Sequence, residues 1–515
     1  MLQAYFCCLF IRRNKNRSGS ISIQVISKAG GRYKVLKSFG SAKTLEQEKI
    51  LTQQAKQFIV KSEGTQSLFI EQDDVLIESF LNSIDNAQVK VIGPELVFGR
   101  IYTAIGYNNI EDEMFRHLVL TRLFHPGSKL KAVDYLNRYL GIEQRIDSIY
   151  RFMDKLGNQL HHQVESISFK HLKAISKNKI GLVFYDLTTL HFESSDEDDL
   201  RKTGFSKVGK HQNPQIYLGL LLTLQGYAIG YQIFEGNIFE GHTLIPVLEK
   251  FEHRFNLERP IVVADAGLLT AKNLELLEAR KYQYIIGARI KNETKQIKDK
   301  IVSHRWIKNK PLTITKTNKQ RLIVSYSTNR AKKDAHNRER GLKRLEKKIK
   351  SKKLTKANIN NRGYNKYLKL KGNIDVCIDY QKYQKDAVWD GLKGYLTNSK
   401  LKPIKIIDNY RQLWQIEKAF RISKTDLRIR PIYHRLKHRI EAHICISFTA
   451  YNIYKELERV LQKEKSQLSV KRAAELTHTM YNLNIQLPRS KKTKSILLNM
   501  DKEQDHLYNI IKRNF

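Results

Sequence analysis

Residues 180–190, IGLVFYDLTTL, read as a buried β-strand that ends on a carboxylate. Ile180, Leu182, Val183, Phe184 and Tyr185 make an apolar run of strand length, rich in residues that favour a pleated surface. Asp186 closes the run, and Leu187, Thr188 and Thr189 carry the chain out. An unpaired acid at the end of a central strand costs stability. A divalent cation beside it reverses that balance. A turn or capping aspartate would look the same, so the distinction rests on whether other acids reach the same place.

The residues that follow supply one. After a charged excursion at 193–204 come two apolar runs, 216–224 and 228–234, joined by a tight turn at Gln225-Gly226. A helix is expected over 242–255, with Leu244, Val247, Leu248 and Phe251 on one side. Residues 260–264 form another short buried strand, with Asp265 at its end. A helix at 271–279 and a strand at 282–286 close the unit. The order is strand with acid, hairpin, helix, strand with acid, helix, strand. In a ribonuclease H topology the first and fourth strands carry acids and lie side by side; here these are the strands of Asp186 and Asp265.

A third acid lies on a later amphipathic helix, expected over 410–425. Leu413, Ile416 and Phe420 share a face, with Trp414 beside them. Glu417 falls on or next to that buried stripe. A carboxylate there needs a cation, which Lys418 or Arg421 supplies in one reading and a metal ion in the other.

The chain has 515 residues, 92 Lys and Arg against 51 acids, a net charge of +41, and 41% hydrophobic residues. This is a folded protein with several domains and a polyanionic partner, nucleic acid before an anionic membrane. No apolar run approaches a membrane span, and no signal peptide is expected. Cys7, Cys8, Cys377 and Cys445 have neither zinc spacing nor a disulfide framework, which suggests an intracellular, reducing compartment. HExxH, GxSxG and Walker motifs are lacking.

Residues 1–45 hold nine Lys and Arg and no acid. Ile21, Ile23 and Val25 alternate with polar residues, Gly30-Gly31 turns the chain towards Tyr33 and Val35, and Thr44 with Gln47 opens a helix to about Ser62. This is either a basic β-ribbon for DNA or a small solvated subdomain. From 95 to 178 the pattern is helical. In HPGSKL (125–130) Ser128 is the expected N-cap, and Asp147 caps a further helix. These helices either enter a major groove or merely pack together. Residues 290–400 depart from the α/β pattern and read as an insertion. Strands are expected at 312–316, 322–326, 374–380 and 394–396, around a stretch at 330–371 with seventeen Lys and Arg against three acids. Beyond Pro431 the chain is helical again, then ends in a basic tail that includes PRSKKTK (488–494).

Three carboxylates from two strands and a helix suit two hard divalent ions on one phosphate. The segments VFYDLTTLHFES, LRKTGFSKVGKHQNPQIYLGLLLT, FEGNIFEGHTL and IVVADAGLLTAKNLELL resemble the core of insertion-sequence DDE transposases. YRQLWQIEKAFRISK is similar to the Tyr-Arg-Glu-Lys signature of the cut-and-paste group with a β-rich insertion. Tyr410, Glu417 and Lys424 fall at its spacing, whereas Leu413 stands at the Arg position, with Arg411 on a different helical face. Val208 stands where an acid is expected.

The resemblance implies a ribonuclease H-like α/β core in which Asp186, Asp265 and Glu417 are the catalytic, metal-binding acids. It implies two Mg²⁺ ions with Mn²⁺ as a substitute, and DNA contacts from Tyr410, Arg411, Arg421 and Lys424. The partners are double-stranded DNA, as transposon ends and target, and a second copy in a synaptic dimer. The setting is bacterial, cytoplasmic and nucleoid-associated. The expected domains are a DNA-binding region at 1–94, a helical region at 95–178, and the catalytic core at 179–289 with 401–430. The insertion at 290–400 and a C-terminal helical region and tail at 431–515 complete them. A host nuclease or resolvase with this core, or an inactive DNA-binding relative, are the alternatives.

Overall fold

A computed structural model describes residues 8–29, 32–62, 77–78, 80–177, 180–206, 209, 211–255, 259–268, 270–307, 310–317, 319–351, 353–372, 375–487 and 492–515. Cys7, Gly30-Gly31, Val208 and residues 488–491 of the basic tail lie outside the described residues. The chain divides into two compact units, Met1–Gln88 with Ile485–Lys494, and Val89–Asn484 with Ser495–Phe515.

In the smaller unit β1 (Cys8–Lys15), β2 (Ile21–Ala29) and β3 (Arg32–Ala42) form an antiparallel sheet. The alternation in β2 turns Ile23 and Val25 onto Ala55 of the helix Leu45–Ser62. That helix starts where Thr44 Oγ1 accepts from the Gln47 amide (3.3 Å) and Gln47 Oε1 accepts from the Lys43 amide (2.9 Å).

The larger unit, which opens on the short strand β4 (Val89–Val91), is α/β and built on one mixed eight-stranded sheet. Its central strands are β5 (Leu182–His191), β6 (Gln215–Thr223), β7 (Ala228–Glu235), β8 (Ile261–Ala264) and β9 (Tyr284–Ala288). β5, β6 and β7 are antiparallel neighbours, while β8 pairs parallel with β5 and β9 parallel with β8. Residues 290–400 supply three more strands, β10 (Leu312–Thr315), β11 (Arg321–Tyr326) and β14 (Leu392–Thr397). The full order is β10-β11-β14-β9-β8-β5-β6-β7. Between β11 and β14 the chain leaves the sheet as a 23-residue helix, Thr328–Lys350, and a hairpin of β12 (Leu368–Lys371) and β13 (Asp375–Ile378).

Both faces of the sheet are covered, so its strands are apolar on both sides rather than alternating. Phe184, Leu190, Leu220 and Ile285 pack against a helical layer that includes Ile416, Phe420 and Ile444. Val183, Tyr185, Leu221 and Ile286 face Leu248, Phe251 and Leu277 of the opposite helices. Parity along β5 places Asp186, with Phe184 and Thr188, on the first face.

Local rules hold at several helix ends. Ser128 caps the helix Lys129–Tyr135, accepting from the Lys131 amide, and Thr270 caps Ala271–Ala279. Asp147 is not a cap: it lies in the first turn of Ile146–Lys155, where Arg145 holds the cap position. A first-turn acid still meets the positive end of the helix dipole, which is why the two positions look alike in sequence.

Candidate functional site: two acids in register at the centre of the sheet

Asp186 does not end its strand. β5 continues to His191, because Leu187, Thr189 and Leu190 remain buried and pair with β6. What ends near Asp186 is the parallel pairing with β8, whose last registered pair is Tyr185 with Ala264. Asp265 is the next residue after β8, so both acids follow that pair directly, on strands ~4.8 Å apart. Asp186 is half-buried and Asp265 exposed.

Asp265 is held from the helix Pro403–Arg411. The Tyr410 hydroxyl donates to Asp265 Oδ1 at 2.9 Å. Burial, together with the Asp265 charge, pushes the Tyr410 phenol up, so it remains a proton donor. Gly287 on β9 makes room for this contact: a Cβ there would stand 2.5 Å from the Tyr410 hydroxyl and 3.2 Å from the Ala266 nitrogen. We expect Gly287→Ala to destabilise the fold by roughly 1–3 kcal/mol through overpacking. Adding Tyr410→Phe should recover part of the loss, because the shorter ring relieves the clash. Urea midpoints of the single and double variants test this, and no recovery would place the clash elsewhere.

The expected helix over 410–425 is two helices. Pro403–Arg411 ends at Gln412, and Trp414–Thr425 begins after Leu413. Leu413, Ile416 and Phe420 are buried as expected from their spacing, but Glu417 is exposed and Trp414 is 48% exposed. Of the two places expected for Glu417, on the stripe or beside it, the structure has it beside, in solvent, so burial demands no cation for it. Nor does Glu417 pair with its neighbours on the helix, since Lys418 bonds Glu458 instead. Lys424, two turns on, is half-buried and donates to Thr188 Oγ1 of β5, two residues beyond Asp186. Arg421 and Arg411 are exposed, Arg411 lying 3.4 Å from Asp408.

Lys393 on β14 joins this group without a sequence signal. Its Nζ stands 4.4 Å from the centre of the Tyr410 ring, a cation–π distance. Burial and Arg330 push its ammonium down, while the charges of Asp265 and Glu417 pull it up. Lys393 therefore senses two acids that lie 152 positions apart in the chain. Arg289, also unflagged in the sequence, donates to the Ala266 carbonyl at 3.3 Å.

The donors at this end of the sheet are carboxylate oxygens, with no thiolate among the three acids, which fits a hard divalent cation. Among the described residues no three His, Cys, Asp or Glu side chains gather closely enough to hold one ion. Magnesium commonly takes one or two carboxylates and completes its shell with water and substrate phosphate, so a site for it does not require three side chains closely gathered.

A family model described as a transposase DDE domain matches residues 177–453, more than half of the chain. The protein belongs to the DDE transposase family. No curated protein gives a significant sequence match. Among solved structures, it is similar to a piggyBac transposase synaptic complex with hairpin DNA, at 9% identity and a TM-score of 0.39, over 75% of this chain and 76% of that one. It is also similar to a Mos1 transposase paired-end complex with the left transposon end, at 10% identity and a TM-score of 0.16, over 45% and 71%. A Mos1 mariner paired-end complex with Mn matches at 11% identity and a TM-score of 0.15, over 47% and 78%. Among the described residues no helix is long and apolar enough to cross a membrane.

Proposed function

We propose that this transposase binds the inverted terminal repeats of an insertion sequence and moves it by cut-and-paste, through strand cleavage and strand transfer on a ribonuclease H-like core. The observation that carries the reading is that Asp186 on β5 and Asp265, directly after β8, both follow the last pair of these parallel strands, near the helix that bears Glu417 and Lys424. The strand order β7-β6-β5-β8-β9, with only β6 running against the rest, supports the core assignment.

Asp186, Asp265 and Glu417 would hold two Mg²⁺ ions, with Mn²⁺ as a substitute. Such ions activate the attacking water or 3′-hydroxyl and stabilise the leaving oxygen. The rest falls to the chain. Tyr410 fixes the orientation of the Asp265 carboxylate, and its raised pKa keeps that hydrogen bond in place at neutral pH. Lys424, anchored at Thr188, presents a positive charge on the same face as Asp186, where a backbone phosphate of the cleaved strand would run. Arg411 and Arg421 offer exposed charges for flanking phosphates. The net charge of +41 supports double-stranded DNA as the partner, both transposon ends and target, in a synaptic dimer.

The test uses DNA carrying the sequences that flank the coding region, set beside a random plasmid. Lys424→Ala should reduce cleavage and joining at the cognate ends by roughly 100-fold, with a much smaller loss of random nicking. Equal losses on both substrates would reduce Lys424 to a structural tie with Thr188. Nicking without any joined product, by wild-type protein on cognate ends, would favour a nuclease.

A further inference from the structure

The HPGSKL turn is not used by the site described above, yet it holds two buried cations. Lys129 is 6% exposed and Arg122 is 5% exposed. Arg122 Nη1 donates to the carbonyls of Gly127 (3.2 Å), Leu427 (3.4 Å) and Arg428 (3.3 Å). Among the described residues the Lys129 ammonium makes no hydrogen bond or ion pair, and burial and the Arg122 charge push its pKa down. The nearby histidines stay neutral and bring neither a counter-charge nor a further positive charge: burial, Lys129 and Arg122 push His434 down to about 3, and His443 is likewise held neutral. The acid in range of His125, Asp134, is engaged by Arg138 at 2.7 Å.

A lysine this buried, beside a second buried cation and without an acid to pair with, is disfavoured in its charged form in the free protein. Its surroundings show what would offset that cost. Lys129 and Arg122 line a cavity with His125, Gly127 and Ser128, and the Arg428 charge acts on His125 from outside. The cavity measures about 10 Å³, room for one oxygen-sized atom. A free phosphate would not fit whole, whereas a phosphodiester could dip one non-bridging oxygen and keep its sugars outside.

Its position suits a bound strand. Arg122 grips the backbone of Leu427 and Arg428, directly beyond the Lys424 end of the helix Trp414–Thr425.

We infer that the 125–129 turn is a seat for one backbone phosphate of the bound DNA, closed by Lys129 and Arg122. The inference rests on the DNA-binding reading above, but part of its test does not.

The full-length protein is melted in inorganic phosphate and in chloride of equal ionic strength. Phosphate should raise the melting temperature of wild type and not that of Lys129→Met. Without phosphate, Lys129→Met should melt higher than wild type, because it removes an uncompensated charge. Duplex binding is then followed against salt in EDTA. The variant's log–log slope should be shallower by about 0.9, so that between 50 and 200 mM salt it loses about 3.5-fold less affinity than wild type.

A shallower slope supports the DNA seat even if free phosphate has no effect. Phosphate protection of wild type with an unchanged slope would overturn the DNA assignment in favour of a free-anion site. An unchanged slope without phosphate protection would overturn the seat altogether. If wild type binds no duplex, the functional reading fails, and the phosphate melt alone decides whether the cavity takes an oxyanion. If Lys129→Met does not fold, Lys129→Gln replaces it in both measurements and the same outcomes decide.

Discussion

Asp186→Asn and Asp265→Asn should each lower Mg²⁺-dependent cleavage by about 10³-fold or more while leaving duplex binding nearly intact. In the proposed site each change replaces a charged carboxylate with a neutral amide of almost the same shape, so packing is preserved. Several kcal/mol of charge stabilisation on the reacting phosphate disappear with it, and each 1.36 kcal/mol is tenfold in rate. On the proposed reading the basic residues supply DNA affinity, so binding should hold or tighten slightly with one negative charge removed. Gel-shift and nicking assays on the same preparations separate the two effects. Near wild-type nicking by either variant would remove that residue from the site. Glu417→Gln belongs in the same series, and a milder loss there would match its exposed position.

The largest effect on stability is expected at Glu456, on the long helix Lys437–Lys463. Its side chain is 1% exposed and accepts from the Tyr227 hydroxyl at 2.6 Å and from Arg459, with His171 at 3.6 Å. It ties the helix to the β6–β7 turn and to the helix His161–Ile175. Burial alone would raise its pKa, but the nearby His171 and the hydrogen bonds from Arg459 and Tyr227 outweigh burial and hold it down at about 2. A carboxyl whose folded pKa is depressed stabilises the fold above its unfolded value and loses that contribution as pH falls through the folded one. Glu456→Gln should therefore cost roughly 3 kcal/mol at neutral pH. The gap from wild type should narrow below about pH 4 and nearly close towards pH 2. Urea midpoints across that range test it; a gap that is constant with pH would assign the loss to packing.

The strands of the central unit were legible because strand signals are local. Short β-rich runs bounded by turns announce β5 to β9, and two of them carry an acid at the same relative place. The register of those acids was not legible, because it depends on pairing between segments about eighty residues apart. The continuation of β5 past Asp186 was hidden for a related reason: Leu187 to Leu190 find their partners on β6, not in their own neighbourhood. The break at Gln412–Leu413 had no Gly or Pro to mark it. Tertiary packing of Tyr410 against Asp265 and of Leu413 into the core overrides a pattern that reads as one helix. Lys393 was invisible in a chain with 92 basic residues, since only folding sets it over the Tyr410 ring.

The outer strands bear on how this protein could be cut down. Deleting all of 290–400 would strip β14 from β9 and leave that apolar strand open to pairing with other chains. It would also take Lys393 away from the acids. The stretch between β11 and β14 is different. Tyr326 lies directly opposite Leu392, and the Ser327 amide bonds the Gly391 carbonyl at 3.0 Å, so the helix and hairpin between them leave and re-enter at one point. That excursion has an apolar centre of its own in Leu345, Tyr367, Leu368 and Ile378. It is the natural place to exchange a domain or splice in a tag, because a tight turn from Tyr326 to Leu392 would leave every neighbour in the eight-stranded sheet where it is.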